Sequence, residues 1–110
     1  MGQDVQSENT NEVEYSLDRN GVVLDIGENI EEITGYKKEE IVGQNMRLFV
    51  NPDDQKTLFI HFQKALDGVF DPCEFRVTTR AGQQILLQSV CKLPKENEKD
   101  ARVDGVLTKI

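Results

Sequence analysis

The chain has no apolar run that approaches membrane-spanning length, which excludes a helical membrane anchor within it. It has no run of lysines or arginines. With a net charge of -7, this argues against nucleic acid or an anionic membrane surface as the main partner, since either needs a basic face. Two cysteines do not make a disulfide framework in 110 residues. Their scarcity points to a reducing, cytoplasmic setting. No signal-peptide pattern opens the chain. There is a single histidine, and no phosphate-cradling glycine loop, metal-ligand cluster or nucleophile–base arrangement. The isolated domain is therefore not expected to be an enzyme. No internal repeat is visible.

What remains is an acidic composition, 30% charged and 37% hydrophobic, of a length that suits one core. Met1 to Asn11 is polar and aperiodic and reads as a flexible arm or linker; residues 12–110 read as one domain. Val13, Tyr15 and Leu17 alternate with polar residues, and so do Val22, Leu24 and Ile26. Asp18-Arg19-Asn20-Gly21 between them predicts a β-hairpin. Ile30 to Phe49 then reads as two very short helices, closed by Gly35 and Gly43. They are too short to be stable alone and must lie on something larger.

Asn51-Pro52-Asp53-Asp54 is a helix start, with a capping side chain, proline at the first position and acids at the positive end of the dipole. The helix should run to about Leu66. Leu58, Phe59, Phe62, Ala65 and Leu66 form its apolar stripe, and His61 falls on the flank as a partly exposed residue. Cys73, Phe75 and Val77 alternate in a third strand, and Ile85, Leu87, Ser89 and Cys91 in a fourth. A three-residue Arg80-Ala81-Gly82 loop pairs Phe75 with Leu87 and Val77 with Ile85, so that apolar meets apolar. A slip of one residue would reverse every side chain. Pro94 to Ala101 reads as a charged loop and Arg102 to Ile110 as a last strand. The fold class is α+β: a five-stranded antiparallel sheet with short helices and one longer helix grouped on one face. The last strand reaches the final residue, which suggests a domain cut from a longer protein.

Several blocks now carry a resemblance. They are Val22-Val23-Leu24-Asp25, Glu31-Glu32-Ile33-Thr34-Gly35-Tyr36, Glu39-Glu40-Ile41-Val42-Gly43-Gln44-Asn45 and Pro52-Asp53-Asp54. Downstream come Glu74-Phe75-Arg76, the Arg80-Ala81-Gly82 turn and the closing Gly105-Val106-Leu107-Thr108-Lys109-Ile110. The chain resembles a PAS domain over roughly residues 13 to 110. The family often has Asn-Pro where Gly27-Glu28 stands here, and Asp-Gly where Ala81-Gly82 stands. The resemblance implies a sensor or signal-relay domain of a larger signalling protein, such as a histidine kinase. Such a domain senses a small ligand or relays a signal through dimer contacts. The alternative is a ligand-free dimerisation module. It also implies a homodimer in the parent protein and an effector domain downstream in the same chain. Members commonly pair through the outer sheet face, where Val23, Leu86 and Val90 are the expected apolar patch.

Candidate pocket-lining residues, between the inner sheet face and the helices, are Phe62, Cys73, Phe75, Leu87, Ser89 and Cys91. Phe62 is expected to pack on Phe75 and Leu87. Cys73 and Cys91 are diagonal neighbours at roughly 7–8 Å, too far for a disulfide. Haem and flavin are not expected, although an unidentified small ligand fits the resemblance. Gly43 to Leu48 is similar to the flavin-photosensor branch of the family, but Met46 stands at its reactive-cysteine position and a thioether forms no thiolate adduct. His61 lies about one turn from the position that ligates iron in haem-binding relatives. The pairs Glu31-Glu32 and Glu39-Glu40 read as surface charge.

Overall fold

The computed structural model describes residues 11–92 and 102–110. The expected arm up to residue 10 and the expected charged loop lie outside the described residues. Apolar alternation builds the first hairpin. Strand β1 (Glu12–Leu17) buries Val13, Tyr15 and Leu17 and turns back into β2 (Val23–Ile26). Asp18 fixes the turn: its Oδ1 accepts from the N–H groups of Asn20 at 2.8 Å and Val22 at 3.0 Å. Gly21 takes the left-handed conformation there, with φ 89°.

The face of β2 differs from expectation. Tyr15 pairs with Ile26 and Ser16 with Asp25, but Leu17 pairs with Val23, so Leu24 is bulged out of the ladder. A bulge inserts one residue and reverses the alternation beyond it. Val23 is therefore 1% exposed, inside the core, and Leu24 is 44% exposed. Val23 does not belong to the outer face.

Helices α1 (Ile30–Thr34) and α2 (Lys38–Ile41) follow. Gly35 ends α1 at φ 85°, its N–H donating to the Glu31 carbonyl at 2.8 Å. Helix α2 stops at Ile41, and Gly43 donates back to the Val23 carbonyl at 2.8 Å. A 3₁₀ turn over Met46–Phe49, not expected from the sequence, comes next. The Asn45 side-chain oxygen caps it by accepting from the Arg47 N–H at 3.1 Å. Tyr36 meets Phe49 edge-on at 5.2 Å and carries the Arg80 guanidinium over its ring, 5.2 Å from the centroid. Arg80 also pairs with Glu40, tying the β3–β4 turn to α2.

Helix α3 (Pro52–Leu66) starts as its sequence predicts, with Asn51 Oδ1 accepting from the Asp53 N–H at 2.8 Å. Its inward face is rotated from the expected stripe. Leu58, His61 and Ala65 are the buried residues, whereas Phe59 is 62% exposed and Leu66 is also exposed. Strands β3 (Cys73–Thr78) and β4 (Gln84–Lys92) pair in the expected register, Phe75 with Leu87 and Val77 with Ile85. Strand β5 (Val103–Lys109) runs antiparallel between β1 and β4. The strand order β2-β1-β5-β4-β3 thus places the first and last strands side by side in the middle. The helices cover one face, and the core lies between Tyr15, Leu17, Phe75, Leu87 and Leu107 from the sheet and Ile30, Ile33, Ile41, Met46 and Leu58 from above.

A buried polar cluster beside an apolar cavity

At the centre of the inner sheet face, four polar side chains meet. The Tyr15 phenol lies 2.6 Å from Ser89 Oγ and 3.7 Å from Cys91 Sγ. His61 Nε2 reaches in from α3 to within 3.1 Å of Ser89 Oγ and 3.3 Å of Cys91 Sγ. Ser89 is the hub, with an O–H to donate and lone pairs to accept. All four residues are buried, so each would be costly without the others. This cluster corrects the expectation for His61. The imidazole is 6% exposed, because its polar partners stand on the sheet and draw that face of the helix inward.

The backbone makes room for the cluster at Gly105. This residue pairs with Tyr15 on one side and Cys91 on the other. A β-carbon on Gly105 would stand 2.8 Å from the Tyr15 phenol oxygen. The tyrosine ring thus crosses β5 through the space of a missing side chain to reach β4. Burial sets the protonation states. It pushes the Tyr15 phenol well above its usual value, with the Cys91 thiol next to it adding to the rise. It raises the Cys91 and Cys73 thiols as well, and holds His61 below the ordinary imidazole range. At neutral pH the cluster is uncharged.

Tyr15 also borders an apolar cavity of about 30 Å³ under α1, α2 and the 3₁₀ turn. Its walls include Ile30, Ile41, Met46, Phe49 and Leu87. This volume admits little more than one water-sized body. A second, outer cleft of about 120 Å³ lies between the β1–β2 turn, the 3₁₀ turn and α3. Met46 lines both spaces.

The six residues singled out from sequence do not line one pocket. Leu87 borders the inner cavity. Phe75 is fully buried, and Ser89 and Cys91 belong to the polar cluster. Phe62 is half-buried, with its ring edge-on to Tyr15 at 6.3 Å and tilted against His61 at 5.3 Å. It borders the outer cleft. Cys73, paired across the strands with Ser89, opens on a surface groove beside His61. Sequence reasoning missed Tyr15 and His61 as parts of one site. The available signal was the glycine at 105, in the middle of a strand with no turn to explain it. The pairs Glu31-Glu32 and Glu39-Glu40 are exposed, as expected. Among the described residues, no group of three His, Cys, Asp or Glu could hold a metal ion. No helix among them is long and apolar enough to cross a membrane.

A family model of the PAS fold matches residues 23–107. The chain belongs to the PAS family, a class of sensory and signal-transduction modules. Solved structures agree. The PAS domain of a protein from Colwellia psychrerythraea superposes with a TM-score of 0.76 at 19% identity, covering 98% of this chain and 96% of that one. The N-terminal domain of a diguanylate cyclase with a PAS/PAC sensor, from Marinobacter aquaeolei, gives 0.74 at 15% identity over 89% and 94%. These two speak for the fold alone. The PAS domain of the Cronobacter turicensis quorum-sensing receptor RpfR, in complex with BDSF, gives 0.68 at 28% identity over 91% and 94%. The same domain in complex with C12:0 gives 0.70. Comparison with curated proteins finds no match.

Proposed function

We propose that this domain senses a small aliphatic ligand and relays its presence to an effector joined to it in a larger signalling protein, such as a histidine kinase or a cyclic-nucleotide enzyme. The domain itself does no chemistry in this reading. The observation that carries it is the apolar cavity between sheet and helices, one wall of which, Tyr15, is bonded into the Ser89–His61–Cys91 cluster. A ligand that displaces the Tyr15 ring disturbs hydrogen bonds on β1, β4 and α3 together. A local event therefore reaches both the central strands and the long helix. The relative at 28% identity, solved with BDSF and with C12:0, supports an aliphatic ligand. The cavity holds about 30 Å³, so binding an aliphatic chain requires its walls to part. In the parent protein we place the domain in a homodimer, through the outer sheet face.

A second reading is favoured by that same small volume: a ligand-free module whose role is dimer contact and geometry. Native mass spectrometry of the purified protein, with an absorption scan, separates the two. Bound mass, or a raised melting temperature with aliphatic compounds, supports the sensor. A bare chain that no such compound stabilises supports the dimerisation module.

A further inference from the structure

The outer cleft combines three features not found together elsewhere among the described residues. First, its floor is apolar: Leu58, Phe59, Phe62 and Leu66 of α3 line it, and Phe59 and Leu66 are exposed there. Second, its rim carries Arg19 from the β1–β2 turn and Arg47 from the 3₁₀ turn. Arg76, Arg80 and Arg102 each meet a carboxylate, but Arg19 and Arg47 meet none among the described residues. In a chain of net charge -7, this sets two guanidiniums that meet no acid among the described residues beside one apolar floor. The acid among the lining residues, Asp18, has its Oδ1 turned into the hairpin, where it accepts from two backbone N–H groups.

Third, the cleft shares a wall with the inner cavity, and that wall is Met46. The Met46 backbone is held, its N–H donating to the Gly21 carbonyl at 2.9 Å. Asn45 braces the same junction by donating to the Asn20 carbonyl at 2.9 Å. The side chain is free of such ties. It is packed in the core, but methionine is unbranched and rotates about three bonds, so it can repack more readily than a β-branched residue.

We propose that this cleft is the mouth of the ligand site, that Arg19 and Arg47 bind a carboxylate head there, and that Met46 swings aside to admit the aliphatic tail to the inner cavity. The ligand class is then an aliphatic carboxylic acid. The inference rests on the sensor reading above and adds the route, the head group and the gate.

The test uses decanoate, with 1-decanol as its neutral counterpart, on the native chain and on an Arg19→Gln/Arg47→Gln double variant. Both arginines are exposed, so the variant keeps the core. The protein carries ¹³C-methyl methionine. With two methionines in the chain, Met46 is read as one of two methyl signals, and Met46→Leu assigns it. The expected result is that decanoate shifts the Met46 methyl. It should also bind the double variant roughly tenfold or more weakly, as for a lost charge-assisted contact, while decanol binds both alike. Decanoate that binds the double variant as tightly as the native chain, or that leaves the Met46 methyl unmoved, overturns the proposal and leaves the sensor reading standing. If neither compound binds the native chain, the aliphatic-ligand reading itself fails, and the proposal with it.

Discussion

The ring of Tyr15 occupies the place where Gly105 has no side chain: a β-carbon there would lie 2.8 Å from the phenol oxygen and 2.9 Å from the ring carbons. Gly105→Ala should therefore force the ring off Ser89 or bend β5, at about 1–3 kcal/mol as for other overpacked cores. Denaturation in urea measures it. The cost should shrink in a Tyr15→Ala background, since the two residues are in contact and do not act additively. Equal costs in both backgrounds would place the strain elsewhere.

Removing the hub is the second prediction. Ser89→Ala takes the closer shared partner from the Tyr15 phenol and His61 Nε2 and leaves them the weaker Cys91 thiol, at about 1–3 kcal/mol. His61→Ala should fall in the same range, above the level of surface substitutions. An unchanged urea midpoint in both variants would mean that the cluster adds nothing to stability.

The third concerns pH. His61 is the only histidine. Burial holds its pKa below the ordinary value, the Asp71 carboxylate opposes that shift, and Lys64 adds to it. The unfolded chain takes up this proton near pH 6.5, whereas the folded chain takes it up only at lower pH. Stability is therefore complete above about 6.5 and declines as the pH drops below it, until the folded imidazole itself protonates. Melting temperatures from pH 7.5 to 5.5 should show the decline, and His61→Asn should flatten it. At lower pH a second loss follows from Asp54, which Arg76 holds at about 2.

Phe62→Ala should cost roughly 2 kcal/mol, less than the ~3–5 kcal/mol of a fully buried phenylalanine, because the ring is only partly buried against Tyr15. Thermal or urea denaturation decides. A loss of the full size would mean that the outer cleft closes over Phe62 in solution.

Association is the fifth. With Val23 inside the core, Leu86 and Val90 remain of the expected outer patch, and the partly exposed Val106 joins them, paired with Val90 across β4 and β5. The acidic charge opposes close approach of two copies, so a weak dimer strengthened by salt is expected. Sedimentation at several concentrations measures it. Val90→Lys should abolish it, and a dimer that survives this change uses another surface.

The sheet was legible where loop length and side-chain pattern agreed. Phe75 opposite Leu87, with Gly82 in the left-handed position at φ 90°, follows from both at once. Gly35 and the Asn51-Pro52 start were legible because glycine, proline and asparagine act locally. The bulge at Leu24 was not, since Val22, Val23, Leu24 and Ile26 are all apolar and either alternation is plausible by type. Nor was the rotation of α3. Leu58, Phe59, Phe62 and Leu66 span a wide arc, and the choice of face was settled by Ser89 and Cys91, distant residues that satisfy His61. The candidate site was half legible for the same reason. Its strand residues follow from alternation, but its helix residue depends on a partner 28 positions away.

Strands β1 and β5 are antiparallel neighbours, and the Lys109 N–H donates to the Asn11 carbonyl at 2.8 Å. The two places where a neighbouring segment could attach thus lie side by side. Tension applied between them would not shear the ladder, in which case all its hydrogen bonds would resist together. It would open the ladder like a zipper, one rung after another from the Lys109–Asn11 end. The rung at Gly105 and Tyr15 would part only after those nearer the ends. The domain would thus yield most easily along the line joining Asn11 and Lys109, and a pull applied there would reach Tyr15 through β1 and β5.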